Sequence, residues 1–474
     1  MHSKTDFKAK VSRSFGHPMT LDQERAVDQL IEFTYKKLEK DVFVLTGYAG
    51  TGKTSVMAAY VNALKSVTKK FALLAPTGRA AKVFANKAGH RAYTIHSYIY
   101  KGSDEMEPGS AFVRPNDAGV RVIIVDEASM IAESSFQEGR NTYVQNLLQD
   151  LFTFAYSNGN AKIIFVGDEG QLPPVGCNFS PALSKDYLKS NYFLDNTYHI
   201  QLTEVLRQAQ DSDILHNATL LRSAENGRYP KFELRGKADL RRINGEELQE
   251  ELDSAISNYG IEDTIMITRS NKRANLFNAQ IRSRILWYEE VLVGGDYLMI
   301  VKNNYKWLPK DNNIGFLANG EIIRVRKLHK LEEMYGFLFA QVSVELVDYP
   351  EMDQLEVYLN LETLTSDAPN LSRDRMKDLW EALEIDYSWE KNKKKRYARI
   401  LNDPYFCALQ VKYAYAITCH KSQGGQWSAV FLDQGFLNEE MLDKDFFNWL
   451  YTGFTRASEK LFLVNFHDSF FEED

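Results

Sequence analysis

Apolar positions in this chain fall in short runs rather than long stripes. Over the first 200 residues the runs are Val42–Leu45, Phe71–Ala75, Arg121–Val125 and Lys162–Val166, each ending in a polar or glycine turn. Helix-patterned stretches such as Ser55–Leu64 separate them. Strands covered on both faces read as continuous apolar runs, and their alternation with helices predicts a parallel α/β sheet. Such a sheet gathers its ligand-binding loops at the carboxyl ends of its strands. A second series follows at Thr264–Thr268, Ala414–Thr418, Ala429–Leu432 and Leu461–Val464. Between them the period changes. Ile322–Val325 and Phe339–Val347 alternate like antiparallel strands, Arg373–Leu383 reads as a helix, and Lys391–Arg399 is basic. The pattern predicts a first α/β domain over 1–200 and a second over 201–322 and 406–474. A small β-barrel with a helical arm is inserted into the second at 323–405.

Composition changes this picture little. A chain of 474 residues is too long for one ordinary core, and 44% hydrophobic with 26% charged residues is a globular balance. The net charge of −7 means that any polyanion site must be local. Cys177, Cys407 and Cys419 are isolated, which suits a reducing cytosol and speaks against a zinc or iron–sulfur domain. Lys4, Lys8 and Lys10 precede no apolar run, so no signal peptide is expected, and no stretch is long enough to span a bilayer. A cytoplasmic protein is the expectation.

The chemistry begins at residues 47–54, GYAGTGKT, which fit G-x-x-x-x-G-K-[ST] between a strand run and a helix. Gly47, Gly50 and Gly52 let the backbone turn so that its N–H groups, with those of Thr51, Thr54 and Ser55, face phosphate oxygens at a helix start. Lys53 reaches the β- and γ-phosphates, and the Thr54 hydroxyl suits Mg²⁺. Asp126 and Glu127 end the run Val122–Val125; the first fits a magnesium holder and the second a base that orients water. Gln171, in the loop Gly167–Val175, can sense the γ-phosphate or the attacking water. Arg207 and Arg456 are candidate arginine fingers, since guanidinium forks onto phosphate oxygens. Gln23 precedes the first strand and carries an amide that both donates and accepts, as an adenine edge requires.

Taken together, these strings resemble superfamily 1 DNA helicases of the RecD-like and phage Dda-like branch. The matching segments are GYAGTGKT (47–54), APTGRAAKVF (75–84), TIHS (94–97), VDEASM (125–130), GDEGQLPPVG (167–176), LTEVLRQ (202–208), TRSNKRANLFNAQIR (268–282), AITCHKSQGGQW (416–427) and YTGFTRAS (451–458). They occur in family order and span nearly the whole chain. The resemblance implies two RecA-like motor domains with ATP and Mg²⁺ in the cleft between them, a strand-splitting pin at 98–119, and an SH3-like barrel. It implies Gln23 for adenine, Lys53 and Thr54 for phosphate and metal, Asp126 and Glu127 for metal and water, and Gln171, Arg207 and Arg456 for the γ-phosphate. Gln423 and Gly424 would couple ATP to DNA. Pro76, Thr77, His96 and Ser97 of the first domain, with Thr268, Asn319, His420 and Lys421 of the second, would line the single-strand track. Members of this branch move 5′→3′, so a monomeric motor acting on single-stranded and forked DNA is expected, with replication or repair proteins as partners. Gly425-Gln426-Trp427 departs from the family, which carries a hydroxyl or small apolar residue there; the pin is polar, and Phe112 is the candidate wedge. The basic run Lys391–Arg396 could grip the tail of the strand or form a solvated helix face.

Two other readings fit part of the chain. A non-motor ATP-dependent DNA-binding switch needs only slow hydrolysis. A small-molecule kinase would use the phosphate loop but leave TIHS and HKSQGG unexplained. No nuclease constellation is present in the sequence, and nothing in it decides between DNA and RNA as a track.

Overall fold

The structure is a computed structural model and describes residues 3–102, 111–133, 146–204, 211–308 and 316–471. Arg207, residues 103–110 of the expected pin and the side chain of Phe112 lie outside the described residues.

Six strands form one parallel sheet in the order Ala92–Thr94, Phe71–Ala75, Val122–Val125, Lys162–Gly167, Asp41–Gly47, Asn196–Leu202. Its four central strands are buried at every position, which is why they read as unbroken apolar runs. The order sets the phosphate-loop strand beside Lys162–Gly167, with Thr46 opposite Gly167. Val122–Val125 flanks that strand on its other side. The loops starting at Gly47, Asp126 and Asp168 therefore leave the sheet at one edge, side by side. Lys162 is the one lysine in these runs, and it is 2% exposed. Its ammonium donates to the carbonyls of Phe33, Thr34 and Lys36, closing the C-terminus of helix Leu21–Tyr35.

Five parallel strands make the second sheet, in the order Ala416–Thr418, Thr264–Thr268, Trp427–Asp433, Ala457–Val464, Leu240–Ile243. Between its strands a closed five-stranded barrel is inserted, made of Tyr297–Ile300, Ile322–Met334, Phe337–Leu346, Leu355–Asn360 and Leu409–Tyr413. Two of these strands lie outside the 323–405 window in which the alternation is visible. The run around Ala414 is split between the two: Leu409–Tyr413 belongs to the barrel and Ala416–Thr418 to the second parallel sheet. The arm consists of helices Arg373–Asp386 and Lys393–Ile400, packed on the barrel through Phe337, Phe339, Leu379, Leu383 and Ile400. Within the segment expected to form the pin, Tyr100–Gly102 pairs antiparallel with Ala111–Val113. Among the described residues no helix is long and apolar enough to cross a membrane.

Candidate functional site

The phosphate loop has the backbone its glycines predict. Gly50 and Gly52 take φ of +77° and +81°, a region that residues with a Cβ rarely enter. A Cβ on Gly47 would lie 2.9 Å from Thr51 Oγ1 and 3.0 Å from the Leu202 carbonyl oxygen, so the loop closes too tightly for any side chain there. The Lys53 ammonium donates to the carbonyls of Gly47 (2.6 Å) and Tyr48 (2.9 Å) and stands 3.6 Å from the Asp168 carboxylate. Gln23 is fully buried behind the loop. Its amide donates to the Thr51 carbonyl (2.9 Å) and accepts from the Thr20 N–H (3.0 Å), so the structure ties it to the loop backbone.

Beside the loop, burial raises the Asp126 pKa, with the neighbouring Glu127 charge second. A cation held there would relieve both effects, which fits Asp126 and the Thr54 hydroxyl as a magnesium site. Glu127 adopts φ +51°, an unusual conformation for a non-glycine residue, just past the end of strand Val122–Val125. Gln171 is 5% exposed, and its Oε1 has no hydrogen-bond partner among the protein atoms. A buried unpaired acceptor is costly, and here it fits a ligand or water proton at the active edge.

The second domain meets this edge through residues that sequence reasoning passed over. The Tyr451 hydroxyl donates to Asp168 Oδ2 (2.7 Å) and accepts from the Ala49 N–H of the phosphate loop (2.7 Å). Arg222 stacks its guanidinium on the Tyr48 ring at 4.0 Å. Leu172, next to Gln171, is held on both sides. Its N–H donates to Thr452 Oγ1 (2.8 Å), and its carbonyl accepts from Gln423 Nε2 (2.7 Å). Arg456 is 3% exposed and donates to the carbonyls of Thr452 and Gly425, each at 3.1 Å, and to Thr455 Oγ1 at 3.0 Å. All three partners belong to its own domain, so this conformation brings Tyr451 to the phosphate loop and keeps Arg456 turned inward.

Gln423 leads into a second interdomain contact. Gly424 (φ +74°) lies so close to helix Gly78–Ala88 that a Cβ on it would be 2.8 Å from Ala80 Cβ and 3.1 Å from Thr77 Oγ1. Trp427, the departure from the family pattern, is 5% exposed and folds over Gly425, where a Cβ would lie 2.5 Å from the indole. Arg79 stacks on the indole at 4.1 Å and donates to the Gln426 carbonyl (2.9 Å). The large residue is thus a packing surface between the domains.

Three of the candidate strand-binding residues, His420, Lys421 and Ser97, line two cavities. One, of about 550 Å³, is lined by His420, Lys421, Lys412 and Asn271 with the exposed Val175. Burial, with Lys412 nearby, pulls the Lys421 ammonium down to about 8, and its proton is donated to Asn319 Oδ1. Two crowded cations of this kind suit an anion that relieves both. Thr268 is fully buried and donates to the Ser270 carbonyl (3.0 Å), so it shapes the loop and its hydroxyl does not face the groove. The other cavity, of about 720 Å³, is lined by Thr94 and Ser97 with the barrel loop Asp348–Met352. Thr77 caps its helix by accepting from the Ala80 N–H (3.2 Å), leaving its hydroxyl proton free to donate. Pro76 precedes it, half-buried. Burial lowers His96 to about 4, so at neutral pH it is an uncharged ring, set between Tyr100 (5.6 Å) and Phe316 (6.3 Å). It can stack or hydrogen-bond but does not neutralise phosphate.

Comparison with known proteins agrees with this layout. The AAA domain family model matches residues 19–237, and the UvrD-like helicase C-terminal domain model matches residues 413–464. An uncharacterized protein of Acanthamoeba polyphaga mimivirus is 25% identical, over 93% of this chain and 98% of that protein. The ATP-dependent RecD2 DNA helicase of Deinococcus radiodurans is 30% identical over 37% of this chain and 21% of its own length. The ATP-dependent DNA helicase dda of Enterobacteria phage T4 is 25% identical over 61% of this chain and 63% of its length. The chain thus spans less than two thirds of both named helicases.

Proposed function

We propose that this chain is a superfamily 1 helicase of the RecD-like and Dda-like branch, an ATP-driven DNA helicase, a reading supported by the two family-model matches and the named helicase relatives. It moves 5′→3′ on single-stranded DNA and opens duplex ahead of it. One observation carries the reading. The HKSQGG segment touches both edges of the machine: Gln423 holds Leu172 beside Gln171, and Gly424 abuts Thr77 and Ala80 at the start of a strand-binding helix. A change at the nucleotide edge therefore reaches the DNA edge through two consecutive residues.

In this reading ATP lies on the loop from Gly47 to Ser55, with Gln23 giving up its bond to the Thr51 carbonyl to meet the adenine and Lys53 leaving its own loop carbonyls for the β- and γ-phosphates. Thr54 and Asp126 would hold Mg²⁺, which would neutralise phosphate charge when bound. Glu127 takes the proton of the attacking water, and Gln171 offers its unpaired Oε1 to the same water. Arg456 releases the Gly425 carbonyl to fork onto the γ-phosphate, and Arg207 joins it. Phosphate bridges the domains and favours closure; its loss favours opening, and alternating grip advances the strand. Opening one base-pair step costs about 1.4 kcal/mol of stacking on average, well within what one ATP can supply. Pro76, Thr77, His96, Ser97, Asn319, His420 and Lys421 hold the strand. The protein works as a monomer, in the cytoplasm, on forked DNA met in replication or repair.

ATPase turnover with and without single-stranded DNA tests this. Glu127→Gln should bind ATP with near-normal affinity and lose at least ~10²-fold in turnover, the lower range for a general base. Normal turnover in that variant would remove Glu127 from the role. Wild-type turnover indifferent to DNA would point to a switch rather than a motor.

A further inference from the structure

Beyond the two grooves lies a third cavity, of about 470 Å³, between the barrel and its arm, whose lining includes Lys302, Tyr305, Lys306, Trp380, Tyr397 and Phe406. Its floor is aromatic: Trp380 meets Tyr397 and Phe406 edge-on at 5.2 and 5.5 Å, and all three are only half-buried. Its rim is cationic. Lys302 and Lys306 are exposed, as are Lys393, Lys394 and Lys395 on the adjoining helix, and no carboxylate is among the lining residues. Flat rings under a lysine rim, in a protein with net charge −7, make a local surface for bases and phosphates. A hydrogen-bond chain links the wall of this cavity to the strand groove. Lys421 donates to Asn319, the Asn319 N–H donates to Asn303 Oδ1 (2.8 Å), and Asn303 lines this cavity. Gln410 lines it too, two residues before Lys412 of the strand groove.

We propose that the barrel–arm groove is an auxiliary single-strand site. It receives the stretch of strand that leaves the main track past Lys421, stacking bases on Tyr397 and its neighbours while Lys302 and Lys306 meet phosphates. This rests on the helicase reading above. It gives the arm a task the motor domains do not cover, namely holding the strand while the main grip alternates. Base stacking carries no sequence preference, as a moving motor requires.

The test compares a short oligothymidylate that fills only the main track with one several nucleotides longer, using the full chain. Affinity should rise with length in the wild type. Tyr397→Ala should lose about tenfold on the long oligonucleotide, within the range measured for one base–aromatic stack. It should leave short-oligonucleotide affinity and the ATPase it stimulates unchanged. Tyr397→Phe, which keeps the ring, should keep the gain. Lys302→Ala with Lys306→Ala should lower the salt slope of long-oligonucleotide binding by about 0.7 per lost phosphate contact. Long-oligonucleotide affinity unchanged in Tyr397→Ala would overturn the proposal and leave the groove to a protein segment. Equal losses on both lengths would overturn it as well, by placing Tyr397 in general folding. If even the short oligonucleotide failed to stimulate wild-type ATPase, the helicase reading itself would fall, and this site with it.

Discussion

Removing one oxygen atom at Tyr451 should separate the two domains functionally while leaving each folded. The phenol makes two 2.7 Å hydrogen bonds across the domain boundary, one to the Asp168 carboxylate and one from the Ala49 N–H. A hydrogen bond to a charged group contributes about 1.5–3 kcal/mol, and a neutral one about 0.5–1.5. In Tyr451→Phe the ring remains, packed against Gly170, where a Cβ would lie 3.1 Å from Tyr451 Cε1. Water entering the gap restores part of the loss, so a net cost of about 1.5–3 kcal/mol is expected. If the joined arrangement is the one that hydrolyses ATP, that cost appears as roughly a 10–150-fold fall in turnover. The assay is steady-state ATPase at saturating DNA, with thermal melting beside it. Because the contact lies between the cores, melting should move by no more than about 3 °C. Turnover within twofold of wild type would refute the reasoning, because it would show that the interdomain hydroxyl plays no part in assembling the site.

Two further outcomes follow from the interdomain seam. Gly424→Ala forces a Cβ into a φ of +74° and to 2.8 Å from Ala80, which costs about 1–2 kcal/mol from the backbone and about 1–3 from overpacking; the variant should fold, and DNA should stimulate its ATPase at least ~10-fold less, an effect of about 1.4 kcal/mol. At the barrel rim, burial pushes Glu321 up to about 8; its Oε1 is unpaired, and it sits 3.2 Å from where a Cβ on Gly78 would be. The folded protein holds this proton more tightly than the unfolded chain, so the stability it lends is present at low pH and lost as pH rises from the unfolded carboxyl value through about 8. Melting of Glu321→Gln should accordingly decline less between pH 5 and 8 than that of wild type, and parallel curves would contradict the assignment.

Much of this architecture was legible in the chain because buried parallel strands are apolar at every position. Thr264–Thr268 and Phe71–Ala75 are strands over the same residues that the runs mark. The barrel was legible only where its strands face water on one side. Tyr297–Ile300 and Leu409–Tyr413 are wholly or nearly wholly buried, so they carry no alternation and read like motor strands. Motif spacing pointed to Lys53, Asp126, Glu127 and Gln171, and the sheet order brings their loops to one edge. Asp168 and Tyr451 were not singled out because neither is distinctive alone; their meaning arises from a contact between residues 283 positions apart. Trp427 looked like an anomaly until the structure supplied Arg79 for its face and Gly425 for its edge.

The central claim is a motor that opens duplex by moving 5′→3′. ATP-driven unwinding of two matched duplexes, one with a 5′ single-stranded tail and one with a 3′ tail, tests it directly, with Lys53→Ala as the hydrolysis-dead control. The account predicts unwinding from the 5′ tail only, and none by the variant. Unwinding from the 3′ tail alone, or unwinding that survives Lys53→Ala, would contradict it.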